Sequence, residues 1–142
     1  FYEWKHIPKL GKNGQPLKTT DKVPHYIYLK DKPYFFMAGI CNSQWVDHDG
    51  PDVFPNFAIC TTAANTLMAE IHNSKKRMPL ILNDDLAEMW LNPNITPDDI
   101  AFIAKYQYSE TDMDAYIVDK DFRTSYDPKR PVTTEDRGNL LF

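Results

Sequence analysis

A glutamate between two aromatic residues is the first side chain in this sequence whose surroundings suit chemistry. Glu3 lies between Tyr2 and Trp4. Aromatic rings that exclude water from a carboxyl group favour its protonated form, which would allow Glu3 to hold or donate a proton near neutral pH. A strand on which Glu3 points into solvent explains the same residues, because glutamates are usually exposed. The spacing leaves both interpretations open.

A histidine at the end of a predicted helix is the second candidate. Apolar residues at helical spacing predict a helix over about residues 63–71, and His72 follows it directly. The negative end of a helix dipole favours the imidazolium form, and histidine changes its charge most readily near neutral pH. His72 would equally serve as a structural cap that donates to the last carbonyl groups of the helix.

Two segments beside this helix are candidates for binding an anion. Thr61 and Thr62 end a predicted strand and precede the helix, so their hydroxyl groups and the first helical amides would face a common pocket. Capping of the helix by Thr62 is the simpler interpretation. Residues 75–77, Lys-Lys-Arg, form a basic run that would neutralise phosphates, although such runs are more often solvated turns.

The cysteines and histidines do not suggest a metal site. Cys41, His48, Cys60 and His72 lack the close paired spacing of a structural zinc site. A Cys60–His72 pair for nucleophilic catalysis is disfavoured, because Cys60 lies inside a predicted strand beside apolar residues. We therefore expect neither a metal nor a cofactor.

Composition and charge limit the classes of protein. The chain has 142 residues, of which 42% are hydrophobic and 25% charged, as expected for one soluble globular domain. It contains no signal peptide and no apolar run of membrane-spanning length, so we expect a cytoplasmic protein. We also expect it to be a monomer. The net charge of −4 argues mildly against a nucleic-acid partner without excluding one.

Short strands and helices alternate without the regular rhythm of a parallel α/β fold. Residues 11–23 are predicted as a polar loop with a hairpin turn at Asn13-Gly14, and residues 44–56 as a second polar loop. The predicted strands cover residues 26–29, 34–41, 57–61 and 114–118. The predicted helices cover residues 63–71, 84–91 and 96–106, the last with a capping Thr96 followed by Pro97. This pattern predicts an α+β fold, a mainly antiparallel sheet or partial barrel with short flanking helices.

Three motifs in a fixed order resemble the SOS-response-associated peptidase (SRAP) family. Residues 1–4, Phe-Tyr-Glu-Trp, resemble the family's Gly-Phe-Tyr-Glu-Trp motif without its glycine. Residues 57–62, Phe-Ala-Ile-Cys-Thr-Thr, resemble a family strand that ends in threonine before a helix. Residues 71–72, Ile-His, with residues 77–79, Arg-Met-Pro, resemble the family's Ile-His-x-Arg-Met-Pro block. The resemblance implies that residues 1–142 are the C-terminal portion of a single SRAP-like domain.

The same resemblance implies a DNA-repair function with roles for five residues. Glu3 and His72 match the family's catalytic glutamate and histidine, whereas Trp4, Thr61 and Arg77 match positions that line the pocket or lie near bound DNA. The family's nucleophile is a cysteine at the mature N-terminus, exposed when the protein removes its own initiator methionine. Its amine and thiol together trap the aldehyde of an abasic site in single-stranded DNA as a thiazolidine ring. The glutamate would manage protons during imine formation, and the histidine would assist sugar opening and reversal.

Two features depart from the family pattern. The chain has no N-terminal cysteine, and the upstream asparagine and arginines of the family are absent with it, so we expect further residues of the domain to precede Phe1 in the whole protein. Four residues, 73–76, separate His72 from Arg77, where the family commonly has one. The longer turn would move Arg77 relative to a phosphate, and its two lysines would substitute for basic groups that the pattern otherwise supplies.

Two other functions stay open at the level of sequence. A non-catalytic module for single-stranded DNA would need only stacking aromatic residues and basic contacts. A peptide hydrolase would use Glu3 and His72 but would leave the contexts of Thr61 and Arg77 unexplained. The distance between Glu3 and His72 discriminates best, because a shared site requires that their side chains meet.

Overall fold

The structure, a computed structural model, describes residues 1–42 and 56–133. The predicted loop at residues 44–56, and with it His48, lies outside the described residues, except that Asn56 begins a strand. The chain divides into two units. The first contains Phe1–Tyr34, Ala64–Lys76 and the described chain from Ser109 onward, and the second contains Phe35–Ala63 and Arg77–Tyr108.

Nine strands and three short helices make up the described chain. The strands are β1 (Tyr2–Leu10), β2 (Pro16–Leu29), β3 (Phe36–Met37), β4 (Gly39–Asn42), β5 (Asn56–Ile59), β6 (Thr61–Ala63), β7 (Arg77–Pro79), β8 (Ile81–Leu82) and β9 (Met113–Ile117). The helices are α1 (Thr66–Ile71), α2 (Asp84–Trp90) and α3 (Pro97–Ile103), and two 3-10 turns cover Glu110–Asp112 and Phe122–Thr124.

The first unit is built on a three-stranded antiparallel sheet in the order β1-β2-β9, with α1 on one face. Successive residues of a strand point to opposite faces, so Glu3 lies on one face and both Tyr2 and Trp4 lie on the other. On the Glu3 face and on α1, the buried residues are Ile27, Leu29, Met68, Ile71 and Met113. The opposite face, here called the aromatic face, carries the rings of Tyr2, Trp4, Tyr26, Tyr28, Tyr116 and Phe122.

The predicted hairpin turn at Asn13-Gly14 is confirmed. Gly14 has a φ of 74°, a conformation that glycine adopts without strain. The prediction that all of residues 11–23 form a loop is wrong from Pro16 onward, because β2 pairs with β1 out to the Leu10–Pro16 position. Pairing with β1 across the hairpin outweighs the loop-like composition of this segment.

The second unit contains three strand pairs joined in a cycle. Strand β3 pairs with β8, β4 with β5, and β6 with β7, all antiparallel. Ala38 donates its N–H to the Leu80 carbonyl, Leu80 donates to Cys60, and Cys60 donates to Ala38, each at 2.9 Å. Ala38 lies between β3 and β4, Cys60 between β5 and β6, and Leu80 between β7 and β8. Each of these three extended segments therefore changes its partner strand at its middle residue. The buried core of the unit is formed by Ala38, Leu80, Leu82 and Ile103, the last residue of α3, and it packs against residues of α2.

Helix α1 begins later than predicted. The prediction of Thr62 as its N-cap is wrong, because Asn65 is the N-cap and its side chain accepts from the Met68 N–H at 2.9 Å. Residues Thr61–Ala63 form β6 instead, since they pair with β7 and place the Thr62 side chain in the interior. Backbone pairing satisfies the groups that a helix would otherwise have used.

Helix α3 begins as predicted, with Thr96 and Asp99 in a capping box and Pro97 in the first turn. Hydrogen bonds from the Thr96 side chain and backbone lower the pKa of Asp99. The helix ends at Ile103, earlier than the predicted residue 106. The α+β class with antiparallel sheets and short helices is confirmed. Within residues 1–42 and 56–133, no helix has the length and apolar character needed to span a membrane.

Candidate active site at the edge of the first sheet

Glu3 lies on β1, the strand at one edge of the first sheet. Phe1 and Ile27 exchange two backbone hydrogen bonds of 2.9 and 2.8 Å, so the alternation of an antiparallel ladder turns the N–H groups of Trp4 and His6 away from β2. The Glu3 carboxylate folds back along this edge, and its Oε1 accepts from the Trp4 N–H at 2.9 Å. That bond holds one carboxylate oxygen and leaves Oε2 for a second partner.

His72 supplies that second group from the end of α1. Its backbone N–H donates to the Met68 carbonyl at 2.7 Å, so the predicted helix C-cap is confirmed. Its ring Nδ1 lies 3.6 Å from Glu3 Oε2, and the side chains of His72 and Glu3 are 17% and 23% exposed. The structure therefore brings the acid and the imidazole together at a partly shielded edge that solvent still reaches. Their catalytic role stays a prediction.

The separation of 3.6 Å suits a pair that acts on a third group. It exceeds the range of about 2.6–3.2 Å over which a proton passes directly, but it allows attraction between a carboxylate and an imidazolium. A shift of about half an ångström, of the kind that accompanies substrate binding, would bring the two groups within that range. Two titratable groups at one edge can then donate and accept protons at the same bound substrate.

His25 is a second histidine beside Glu3, and no sequence motif indicated it. The two residues are Cα partners in the β1–β2 ladder and share one face of the sheet. Burial lowers the pKa of His25 below its ordinary value of 6.5; the hydrogen bond of its Nδ1 to the Val23 carbonyl opposes this, and the charge of Lys5 adds to it. His25 is therefore a neutral neighbour of the pair at neutral pH. Its place opposite Glu3 follows from the register of the β1–β2 hairpin. The prediction of residues 11–23 as a polar loop did not give that register.

The turn after His72 is closed by backbone hydrogen bonds. The Lys76 N–H donates to the His72 carbonyl at 2.8 Å, and the Ala64 N–H donates to the Lys76 carbonyl at 3.0 Å. Lys76 has a φ of 50°, which is unusual for a residue with a side chain. Asn73, the residue after His72, bonds to the backbone of His6 on β1. The insertion expected from the sequence is therefore a turn attached to the edge of the first sheet.

Trp4 lies on the face opposite to Glu3. Its ring centroid is 6.0 Å from that of Phe122, and the guanidinium carbon of Arg123 is 5.3 Å from the Trp4 centroid. Trp4 therefore belongs to the aromatic face rather than to the immediate surroundings of His72. Arg123 is a cation beside this tryptophan that no sequence motif indicated, because it lies more than a hundred residues away in the chain.

Thr61 and Arg77 lie in the second unit, on the paired strands β6 and β7. Thr61 is the partner of Pro79, and Arg77 is the partner of Ala63; both Thr61 and Arg77 are exposed. The expectation that Thr61 and Thr62 lead directly into the helix is wrong, because α1 starts only at Thr66, after β6 has ended. Whether Thr61 and Arg77 contact DNA stays a prediction.

The remaining candidates for metal or thiol chemistry do not form a site among the described residues. No group of three or more histidine, cysteine or acidic side chains is arranged to hold a metal ion in residues 1–42 and 56–133. Cys41 is exposed on β4, Cys60 is half-buried at the centre of the second unit, and both are free thiols.

Comparison with known proteins gives a consistent match across most of the chain. The family model for SOS response associated peptidase (SRAP) matches residues 1–125. Two proteins of Bacillus subtilis (strain 168), "Abasic site processing protein YoaM" and "Abasic site processing protein YoqW", are each 36% identical over 118 residues, which are 83% of this chain. The matched parts are 45% and 46% of those proteins, so the chain spans about half the length of these curated relatives.

Solved structures show the same fold. A protein from Bacteroides thetaiotaomicron matches with a TM-score of 0.72 and 38% identity, over 92% of this chain and 50% of its own. A phage-related protein from Bordetella bronchiseptica matches with a TM-score of 0.56 and 26% identity, over 84% of this chain and 49% of its own. Since the family model covers most of the sequence and the fold agrees, the chain belongs to the SOS response associated peptidase family.

Proposed function

We propose that the whole protein binds single-stranded DNA and forms a covalent crosslink with abasic sites, with Glu3 and His72 as its catalytic residues. The observation that carries this proposal is the 3.6 Å separation of Glu3 Oε2 and His72 Nδ1 at an accessible sheet edge. Membership of the SRAP family and relatives that bear the name abasic site processing protein support it.

The nucleophile in this proposal is an N-terminal cysteine carried by a segment outside this chain. The cysteine becomes the first residue when the protein removes its own initiator methionine, which frees the α-amine. The amine attacks the aldehyde of the opened sugar and loses water to give an imine. The thiol then adds to the imine carbon and its proton passes to nitrogen, so a thiazolidine ring forms without any oxidant or reductant.

Glu3 and His72 divide the proton transfers of this sequence. Glu3 protonates the departing hydroxyl group during imine formation and recovers a proton afterwards. His72 moves the proton that opens the sugar ring and acts in the reverse direction when the crosslink resolves. The Trp4 N–H holds Glu3 Oε1, so the carboxylate keeps one orientation through these steps.

The DNA contacts in the proposal come from an aromatic ring, a hydroxyl group and two cations. Trp4 stacks on an unpaired base, and the Arg123 guanidinium beside its ring contacts a neighbouring phosphate. Thr61 and Arg77 are exposed and provide further polar and phosphate contacts. Such contacts predict binding that weakens with rising salt concentration.

A gel assay on the full-length protein tests the proposal. The protein is mixed with a single-stranded oligonucleotide that carries one abasic site, and a denaturing gel resolves the crosslinked band. We expect the band with abasic DNA and not with intact DNA, and we expect Glu3→Gln and His72→Gln each to slow its formation by about 10²–10⁴-fold. Glu70→Gln, which changes an exposed glutamate on α1, is the matched control and should crosslink normally.

Three outcomes would contradict the proposal. A crosslink that persists at full strength in the double variant removes Glu3 and His72 from the chemistry. Salt-dependent DNA binding without any crosslink favours a non-catalytic module. Turnover of unrelated peptides that depends on Glu3 and His72 favours a general peptide hydrolase.

A further inference from the structure

We propose that Asn73 is a positioning residue that holds His72 against Glu3 by pairing with the free edge of β1. The inference rests on the proposed function and concerns the same site. It assigns a role to a residue of the four-residue spacing between His72 and Arg77, where the family commonly has one residue.

Two hydrogen bonds join Asn73 to a single residue of β1. The Asn73 Oδ1 accepts from the His6 N–H at 3.0 Å, and the Asn73 Nδ2 donates to the His6 carbonyl at 2.8 Å. A carboxamide presents a donor and an acceptor side by side, as a peptide group does, so the Asn73 side chain takes the place of a neighbouring strand at this position.

The position of His6 on β1 places the Asn73 side chain next to the Glu3 carboxylate. The ladder turns the backbone groups of Trp4 and His6 toward the outer edge, and the Glu3 carboxylate already occupies the Trp4 N–H at 2.9 Å. Asn73 occupies the next outward position, two residues further along. The catalytic carboxylate and the Asn73 amide therefore lie side by side on one strand edge.

Asn73 is also linked closely to His72 through the backbone. Asn73 follows His72 directly, and the Lys76 N–H closes the turn onto the His72 carbonyl at 2.8 Å. Helix α1 fixes the backbone of His72 on one side through the bond to Met68, and Asn73 fixes it on the other side to the strand that carries Glu3. With both sides fixed, the imidazole has a defined distance to the carboxylate.

This contact is expected to affect the position of His72 more than the stability of the fold. Both hydrogen bonds are exposed, and exposed neutral bonds contribute little to the stability of a fold. A misplacement of about 1 Å at a catalytic group, by contrast, lowers a reaction rate by up to about 10²-fold. Loss of Asn73 is therefore expected to reduce the rate of crosslinking far more than it reduces folding.

The experiment compares Asn73→Ala with wild type in the full-length protein through two independent readouts. Amide hydrogen exchange reports the contact itself, and we expect the His6 N–H to exchange at least about tenfold faster in the variant, because the bond to Asn73 protects it. Single-turnover crosslinking with abasic single-stranded DNA reports the chemistry, and we expect the rate at saturating DNA to fall at least about tenfold while the Kd for DNA stays within about twofold.

Two further variants sharpen the result. Asn73→Gln keeps the carboxamide and should recover part of the lost rate. Asn13→Ala removes an exposed asparagine whose Oδ1 accepts from the Gln15 N–H in the hairpin turn at the other end of β1, and it should leave both readouts unchanged.

Each outcome decides a separate point. Unchanged exchange of the His6 amide would overturn the contact, and faster exchange with an unchanged crosslinking rate would overturn the positioning role. A weaker Kd with an unchanged rate at saturation would make Asn73 a binding residue instead. If the wild-type protein forms no crosslink, the proposed function fails and the positioning role fails with it, whereas the exchange measurement still decides the contact.

Discussion

The aromatic face and the outer edge of β1 belong to the same sheet but are held together by different forces. On the aromatic face, the rings of Tyr2 and Phe122 stack with centroids 4.2 Å apart, and Phe122 is 5% exposed. At the edge, Glu3 and His72 meet at 3.6 Å with both side chains partly exposed. Burial of apolar surface stabilises the first region, whereas orientation through single polar contacts defines the second.

Under the proposed function, the first unit separates the residues that stabilise it from the residues that carry its chemistry. Close ring packing leaves little freedom, because a change of one methylene group in a packed interior is felt by its neighbours. A polar pair at a partly exposed edge contributes little to stability, so its groups can shift at small energetic cost. Substitutions in the two regions should therefore affect different measurements.

Truncation of the aromatic face should have the largest effect on stability. Phe122→Ala removes a buried ring and its contact with Tyr2, and we expect the free energy of unfolding to fall by about 3–5 kcal/mol. Urea denaturation of the full-length protein measures this value. Phe57→Ala is the matched control, because Phe57 is 77% exposed and should change stability by less than about 0.5 kcal/mol. Equal losses at the two positions would show that ring packing does not stabilise this face.

The cap of α1 should have the next largest effect, since this helix carries His72 to the edge. Asn65→Ala removes the acceptor for the buried Met68 N–H and should lower the free energy of unfolding by about 1–2 kcal/mol. Thr96→Ala removes the exposed cap of α3 and should lower it by only about 0.5–1 kcal/mol. A larger loss for Thr96→Ala in urea denaturation would contradict this ranking.

In the turn after His72, one substitution should raise the free energy of unfolding rather than lower it. Lys76 has a φ of 50°, which strains a residue with a Cβ atom, so Lys76→Gly should raise the free energy of unfolding by about 0.5–1 kcal/mol. Lys75→Gly, at the neighbouring exposed position, should lower it slightly because glycine increases the entropy of the unfolded chain. Thermal denaturation of both variants checks the sign, and a loss of stability in Lys76→Gly would show that the turn is not strained.

The smallest effect is the pH dependence contributed by His25. Burial lowers the pKa of His25 below 6.5, so below that pH the unfolded chain binds more protons than the folded protein. The contribution to stability is therefore complete above about pH 6.5 and is lost as the pH falls toward the folded-state pKa. We expect His25→Gln to lose less Tm than wild type between about pH 7.5 and pH 5. An identical decrease in Tm for His25→Gln and wild type would exclude this contribution.

Much of the fold was predictable because its signals are local. The turn at Asn13-Gly14 and the start of α3 at Thr96 depend on residues within one turn of the chain, and both are confirmed. The extension of β2 to Pro16 and the strand β6 at Thr61–Ala63 depend on backbone pairing with a partner strand, β1 and β7 respectively. Propensity does not reveal such partners, so these two predictions failed.

In the candidate site, too, some residues were predictable from the sequence and others were not. Motifs in a fixed order indicated Glu3 and His72, and the structure places them in contact distance. His25 and Asn73 escaped notice because their relation to Glu3 and His6 arises from hairpin register and from a side chain that pairs with a strand edge. Neither relation has a pattern along the chain.

A double-mutant cycle on crosslinking most directly tests the claim that Glu3 and His72 act together. The rate of crosslink formation at saturating abasic single-stranded DNA is measured for wild type, Glu3→Gln, His72→Gln and the double variant of the full-length protein. Residues that act as a unit are strongly non-additive, so the double variant should lose about as much rate as the more damaging single change. Losses that multiply across the two positions would show that they act independently, and that result would contradict a shared site.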